Sequence, residues 1–366
     1  MKIALIHEHL AQDGGAEKVL QVFQELYPNA PTFTLVYDKD RANVAFQGKK
    51  IHTSYLQKMP FGLRRYQWYL PWMPDAIERF DLTEFDVVLS SCSAFAKGVI
   101  TLADTKHICY CHSPTRYLWS DTHRYVDELH YPNIFKNLIR SQLPRIRMWD
   151  QLAAQRVDEF IANSAAVQRR IKKYYRRDST VIYPPVEISR FKVASEIGNY
   201  YLIGGRLVAY KRFDEAIKAF NQLGFPLKVY GSGPEEKNLR KIAKSNIQFL
   251  GRVSDEERAD LYSHAKAFIN PQEEDFGITV IEAMASGRPV IAFAKGGALE
   301  TVIDGQTGVF FHDQNWAALA DTVLRFKIDS VDPAAIQRHA TTFDVDRFKN
   351  NIRAYIDTRT TSQINN

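Results

Sequence analysis

The sequence predicts an α/β protein made of two doubly wound, parallel-sheet domains. Three observations predict it. The chain has 366 residues, more than one core usually supports. Short apolar runs closing on glycine alternate with helix-like stretches along its whole length, the pattern of strand and crossover helix. The composition, 45% hydrophobic with 25% charged residues, is that of an ordinary globular protein.

Composition also excludes several classes. No apolar run approaches the length that spans a bilayer, and Met1-Lys2-Ile3-Ala4-Leu5-Ile6-His7 turns polar too early for a signal-peptide core, so a cytoplasmic protein is expected. Three cysteines, Cys92, Cys109 and Cys111, give no disulfide framework. Cys109-Tyr110-Cys111-His112 could hold a metal, but it lacks a second ligand pair, and alternation on a buried strand accounts for it better. A net charge of +6 and a pI near 9.0 suit a phosphate-rich partner or an anionic membrane surface. No nucleic-acid motif accompanies the charge, so nucleic acid is not expected.

In chain order, Lys2 to Ile6 reads as the first buried strand. Gln12 to Lys18 then makes a glycine turn, with Gly14 and Gly15, into a helix through Val19, Leu20, Val22, Phe23 and Leu26. Asp38-Lys39-Asp40 mimics a metal-binding D-x-D, but a polar turn explains it much better. Residues 59–74 mix aromatic, basic and proline residues around Arg64 and Arg65, a composition suited to a membrane headgroup layer, an acceptor groove or core packing. Residues 85–90 and 107–111 are further strands, and the second delivers His112 at its carboxyl end, where open parallel sheets bind ligands. Arg140, Arg145, Arg147, Arg169, Arg170, Lys172, Lys173, Arg176 and Arg177 make the following helices basic. Residues 159–162 form a strand with Asn163 and Ser164 at a helix cap, and Pro184-Pro185 marks the crossing to a second domain.

There, residues 200–206 run as a strand into Gly204-Gly205-Arg206, with Lys211 before the next helix. Residues 227–234 and 247–253 repeat the strand-then-glycine unit. A strand at 267–271 leads into Glu274-Asp275-Phe276-Gly277-Ile278-Thr279, and the helix beginning near Gly277 carries Glu282 and stops before Gly287, with Pro289 preventing resumption. Eight residues of full helix span about 12 Å. Glu274 and Glu282 are therefore too far apart to act on one bond and suit opposite ends of an elongated ligand, with a phosphate at the helix N-terminus between them. Phe348, Ile352, Tyr355 and Ile356 form one stripe on a final helix.

The spacing of Glu274 and Glu282, followed by A-M-A-S-G-R-P-V and Gly296-Gly297-Ala298-Leu299-Glu300, resembles the nucleotide-sugar site of retaining GT-B glycosyltransferases of family 4, group 1. Gly204-Gly205-Arg206, Phe249 to Ser254 and Glu273 to Gly277 are most similar to the WbaZ-like bacterial mannosyltransferases. The resemblance covers the whole chain and implies two Rossmann-like domains facing a cleft. An acceptor-side domain would span 1–183, braced by a helix at 344–358, and a nucleotide-sugar domain 184–343. It implies Glu282 on the ribose, Glu274 on a sugar hydroxyl, and Arg206 and Lys211 on the diphosphate. Main chain at Phe276, Gly277, Ile278 and Thr279 would meet the phosphates, and Val253 the nucleobase. His112 would contact the donor sugar, and Gly14 and Gly15 would lie near the donor phosphates.

The implied reaction is transfer of a sugar, mannose from GDP-mannose in first place, to a glycan or lipid-linked acceptor of bacterial surface polysaccharide. Two cations suffice to neutralise a diphosphate, so no metal or other cofactor is expected. No side chain stands out as a nucleophile, so front-face attack is the expected route to retention. A UDP- or dTDP-sugar-dependent transferase, a nucleotide-sugar epimerase of the same fold and a non-catalytic nucleotide-sugar-binding protein are the alternatives.

Overall fold

The structure, a computed structural model, describes residues 1–122, 126 and 132–360. It divides into two compact units, Met1–Tyr183 with Lys349–Asn366, and Pro184–Phe348.

The first unit is built on a seven-stranded sheet in the order β3-β2-β1-β4-β5-β6-β7. Its strands are β1 (Ile3–His7), β2 (Thr32–Thr34), β3 (Ile51–Thr53), β4 (Val87–Cys92), β5 (Lys106–Cys111), β6 (Glu159–Ala162) and β7 (Thr180–Val181). All neighbours pair in parallel. Every residue of β1 and β4 is buried, as expected for strands covered by helices on both faces. Successive strands build outward from β1 in one direction as far as β3, and from β4 in the other. The order therefore reverses between β1 and β4, which makes the ends of these strands the natural ligand crevice. The two outer strands β2 and β3 are too short, three residues each, to stand out in the sequence. Asp38-Lys39-Asp40 is a turn in which the Asp40 amide donates to Asp38 Oδ1 at 3.1 Å.

Two buried charges shape the segment after β4. Glu8 accepts four backbone N–H groups, from Ser93, Ala94, Phe95 and Ala96, at 2.8–3.2 Å. Burial alone would raise its pKa, but these donors outweigh burial and the value is lowered. Lys97 next to it donates to Asp150 Oδ1 at 2.5 Å and to the Ala94 carbonyl. Asp150 also accepts from Thr115 Oγ1 and Trp119 Nε1, both at 2.8 Å. A buried ion pair is tolerable when its remaining lone pairs are filled in this way.

The second unit has a six-stranded parallel sheet in the order β10-β9-β8-β11-β12-β13. Its strands are β8 (Tyr201–Gly204), β9 (Leu227–Tyr230), β10 (Ile247–Gly251), β11 (Phe268–Asn270), β12 (Val290–Phe293) and β13 (Gly308–Phe311). The order reverses between β8 and β11. The final helix, Val345–Thr360, buries the expected stripe of Phe348, Ile352, Tyr355 and Ile356. Its stretch from 349 is tied within the first unit by Lys349 to Glu25 at 2.9 Å and by Tyr355 Oη to Glu159 at 3.2 Å. Among the described residues no helix is long and apolar enough to cross a membrane.

Candidate functional site

In the second unit the two loops that leave the switch-point strands meet through a salt bridge. Lys211 Nζ, at the end of the turn Ala209–Lys211 after β8, lies 2.8 Å from Glu274 Oε1, after β11. Both side chains are largely withdrawn from solvent, 13% and 15% exposed. Burial works against the Lys211 ammonium, but the Glu274 carboxylate outweighs it and the pKa is raised. Arg206 is exposed on the same loop and adds a second positive charge near Lys211.

The helix Ile278–Ala285 starts four residues after Glu274. Gly277 caps it at φ 91°, a left-handed conformation that glycine adopts without a Cβ penalty. Ile278 and Thr279 occupy the first turn, where a helix supplies no internal acceptors for its amides. Thr279 Oγ1 is buried there without a hydrogen-bond partner. Phe276 is buried, its ring edge-on to Phe343 at 5.6 Å. The loop is held by Gly297, whose amide donates to the Glu274 carbonyl at 2.8 Å. A Cβ on Gly297 would stand 2.5 Å from the Phe276 Cα, so a side chain there would push the loop away.

Glu282 is 3% exposed. It accepts from Tyr262 Oη at 3.3 Å and faces Arg258 Nη2 at 3.5 Å. Burial, then the Tyr230 and Glu282 charges, hold the Tyr262 phenol well above its usual range, so it stays a donor. Tyr262 and Arg258 come from the helix Asp255–Ser263, whose N-cap Ser254 forms a capping box with Glu257. Val253 precedes that cap and is half-buried, and Arg252 beside it donates to Ser232 Oγ at 2.9 Å. The rest of the A-M-A-S-G-R-P-V motif has structural work. Gly287 closes the helix at φ 68°, and the buried Arg288 donates to the carbonyls of Ser263 and Ala194 at 2.7 and 2.9 Å.

Gly14, Gly15 and His112 belong to the first unit. Gly14 is the N-cap of the helix Gly15–Leu26 in an extended conformation, and a Cβ on it would lie 3.0 Å from Glu17 Oε2. His112 follows β5, half-buried, with Nε2 2.8 Å from Ser91 Oγ. Burial pushes its pKa down to about 4. The structure thus brings together Arg206, Lys211, Glu274 and the 276–279 turn in one loop cluster, and places Glu282 with Arg258 and Tyr262. Arg258, Tyr262, Ser91, His7 and Glu17 were not singled out from the sequence. Their only trace there is a polar residue at the end of an apolar run, or on a helix beside one. Cys92, Cys109 and Cys111 are all buried free thiols. Among the described residues no three His, Cys, Asp or Glu side chains gather closely enough to hold a metal ion.

The profile of the family Glycosyl transferases group 1 matches residues 186–342, and that of Glycosyltransferase Family 4 matches residues 14–190. An uncharacterized glycosyltransferase of Methanocaldococcus jannaschii is 29% identical over 52% of this chain and 54% of its own length. The aligned part is thus about half of that relative. A GDP-mannose-dependent monoacylated alpha-(1-6)-phosphatidylinositol monomannoside mannosyltransferase of Corynebacterium glutamicum is 33% identical over 36% of this chain and 38% of its own. The crystal structure of Anabaena Alr3699/HepE in complex with UDP-glucose aligns with 98% of this chain and 100% of that one, at a TM-score of 0.73 and 19% identity, and shares its fold. The two family matches overlap at residues 186–190 and together take in nearly the whole chain, which belongs to the group 1, family 4 glycosyltransferases of GT-B type.

Proposed function

We propose that this protein is a retaining glycosyltransferase that moves mannose from GDP-mannose to a glycan or lipid-linked acceptor in bacterial surface polysaccharide assembly. The observation that carries the transferase reading is the Lys211–Glu274 pair at the second sheet's switch point, beside the open helix turn at 277–279. A diphosphate leaving group gains negative charge as the glycosidic bond breaks. A cation and free amides at that point stabilise the transition state more than the ground state. Arg206 and Lys211 take the diphosphate, Glu274 a sugar hydroxyl and Glu282 the ribose. Val253 main chain borders the base, and His112, Gly14 and Gly15 serve the sugar and phosphates from the first unit. Attack comes from the face the leaving group vacates, and no divalent ion takes part.

The similarity to the C. glutamicum enzyme supports GDP-mannose, and the likeness to the UDP-glucose complex of HepE favours a UDP-sugar as the second reading. Calorimetry with GDP, UDP, dTDP and ADP separates them. The expected result is preferential GDP binding, weakened about 10- to 100-fold in Glu282→Ala. Preference for UDP would discard mannose, and binding unchanged in Glu282→Ala would discard the ribose role.

Three exposed aromatic side chains within residues 59–72, whose Tyr66, Tyr69 and Leu70 pack against the core, support a peripheral site on the inner face of the cell membrane. Phe61, Trp68 and Trp72 are 67%, 53% and 53% exposed rather than packed in the core. Arg65 lies over Trp68 at 5.4 Å. Vesicles containing phosphatidylglycerol should pull the protein down, and Trp68→Ala with Trp72→Ala should release it. Equal sedimentation with zwitterionic vesicles or none would count against membrane contact.

A further inference from the structure

At the switch point of the first sheet, four polar side chains from different elements form one row. His112 Nε2 lies 2.8 Å from Ser91 Oγ, and Ser91 Oγ lies 3.1 Å from His7 Nδ1. His7 Nε2 lies 3.6 Å from Glu17 Oε1. His7, Ser91 and Glu17 are buried, whereas His112 at the end of the row is half-buried. Glu17 Oε1 also accepts from Gln12 Nε2 at 3.1 Å, while Glu17 Oε2 is buried with no hydrogen-bond partner. A row of buried polar groups costs desolvation that an apolar set would avoid. Its constituents come from β1, β4, the segment after β5 and the helix Gly15–Leu26.

We infer that Glu17, His7 and Ser91 are positioning residues that fix the ring tautomer of His112 and so present its Nδ1 as an acceptor for a sugar hydroxyl. This rests on the proposed contact between His112 and the donor sugar. The direction of the row follows from its buried end. An ionised carboxylate only accepts. The Glu17 value is lowered, by the His7 contact against burial, which keeps it ionised. At 3.6 Å the contact is electrostatic, and it favours the hydrogen on the His7 nitrogen that faces the carboxylate. A neutral His7 then carries its hydrogen on Nε2 and leaves Nδ1 as a lone pair, which accepts the Ser91 hydroxyl hydrogen. Ser91 Oγ in turn accepts from His112 Nε2–H, and the lone pair of His112 is left on Nδ1.

The other ionisable groups acting on the row are Glu8 on His112, His9 on Glu17, and Tyr110 from β5, whose ring lies 5.2 Å from that of His112. Glu8 is committed to its four backbone donors.

The test is the nitrogen NMR spectrum of protein labelled with 15N-histidine, with His112 assigned by comparison with His112→Asn. Wild type at pH 8 is expected to show His112 as the Nε2–H tautomer. Ser91→Ala removes the acceptor and should give a mixture. Glu17→Gln, whose amide both donates and accepts, should release the row into both directions. A His112 tautomer unchanged in both variants would overturn the inference. The donor KM of Ser91→Ala is measured on the same samples, and a rise of about tenfold with a smaller change in kcat is expected. A shifted tautomer with an unchanged KM would support the row and discard the contact between His112 and the sugar, so the two ideas fail separately.

Discussion

Replacing Glu274 by glutamine is expected to lower turnover by about a thousandfold, at the upper end of what removal of one preorganised transition-state contact costs. Two effects add. The sugar loses a charged acceptor, and Lys211 loses the partner that holds its pKa up against burial. Lys211 would then be held less firmly where the diphosphate departs. Lys211→Ala should therefore cost a similar factor, and the double variant little more than either single one, because the residues act as a unit. Full additivity would show two independent roles. The assay is run with a chelator present. Activity lost under chelation and restored by magnesium alone would argue against the proposed metal-independent mechanism.

Glu8→Ala is expected to destabilise the first unit by about 3–5 kcal/mol at neutral pH, a large part of a typical domain's stability. The change strands four backbone donors in the interior at once. The effect has a pH signature. The folded pKa of Glu8 lies below its ordinary value of 4.5, so its contribution is fully present above pH 4.5 and is lost as pH falls through the folded value. Urea unfolding of wild type and variant at pH 7 and at successively lower pH should show the gap between them closing below pH 4.5. A gap that stays constant down to pH 3 would mean that the carboxylate charge is not what the segment after β4 depends on.

The sequence by itself determined the alternating parallel architecture, because buried strands in such sheets are continuous apolar runs and their helices begin and end on local caps. It also determined the loop and helix from Glu274 to Gly287. Gly277, Gly287 and the Glu274–Glu282 spacing are short-range features, set by one helix and its two ends. Short outer strands such as Thr32–Thr34 and Ile51–Thr53 were not legible, since three residues carry no period and their pairing is decided by neighbours far along the chain.

Only the tertiary structure decided what the isolated charges do. Lys211 and Glu274 read as two separate candidates until the adjacency of β8 and β11 brings them to 2.8 Å. His7 and Ser91 are 84 residues apart, and Glu8 finds its donors at similar separation. A local pattern cannot report such pairs, because the free energy that selects them comes from the desolvation of groups that meet only when the sheet order is complete. Arg288 shows the same limit from the other side. It stands in a motif that reads as functional, yet its buried guanidinium ties the carbonyls of Ser263 and Ala194 together.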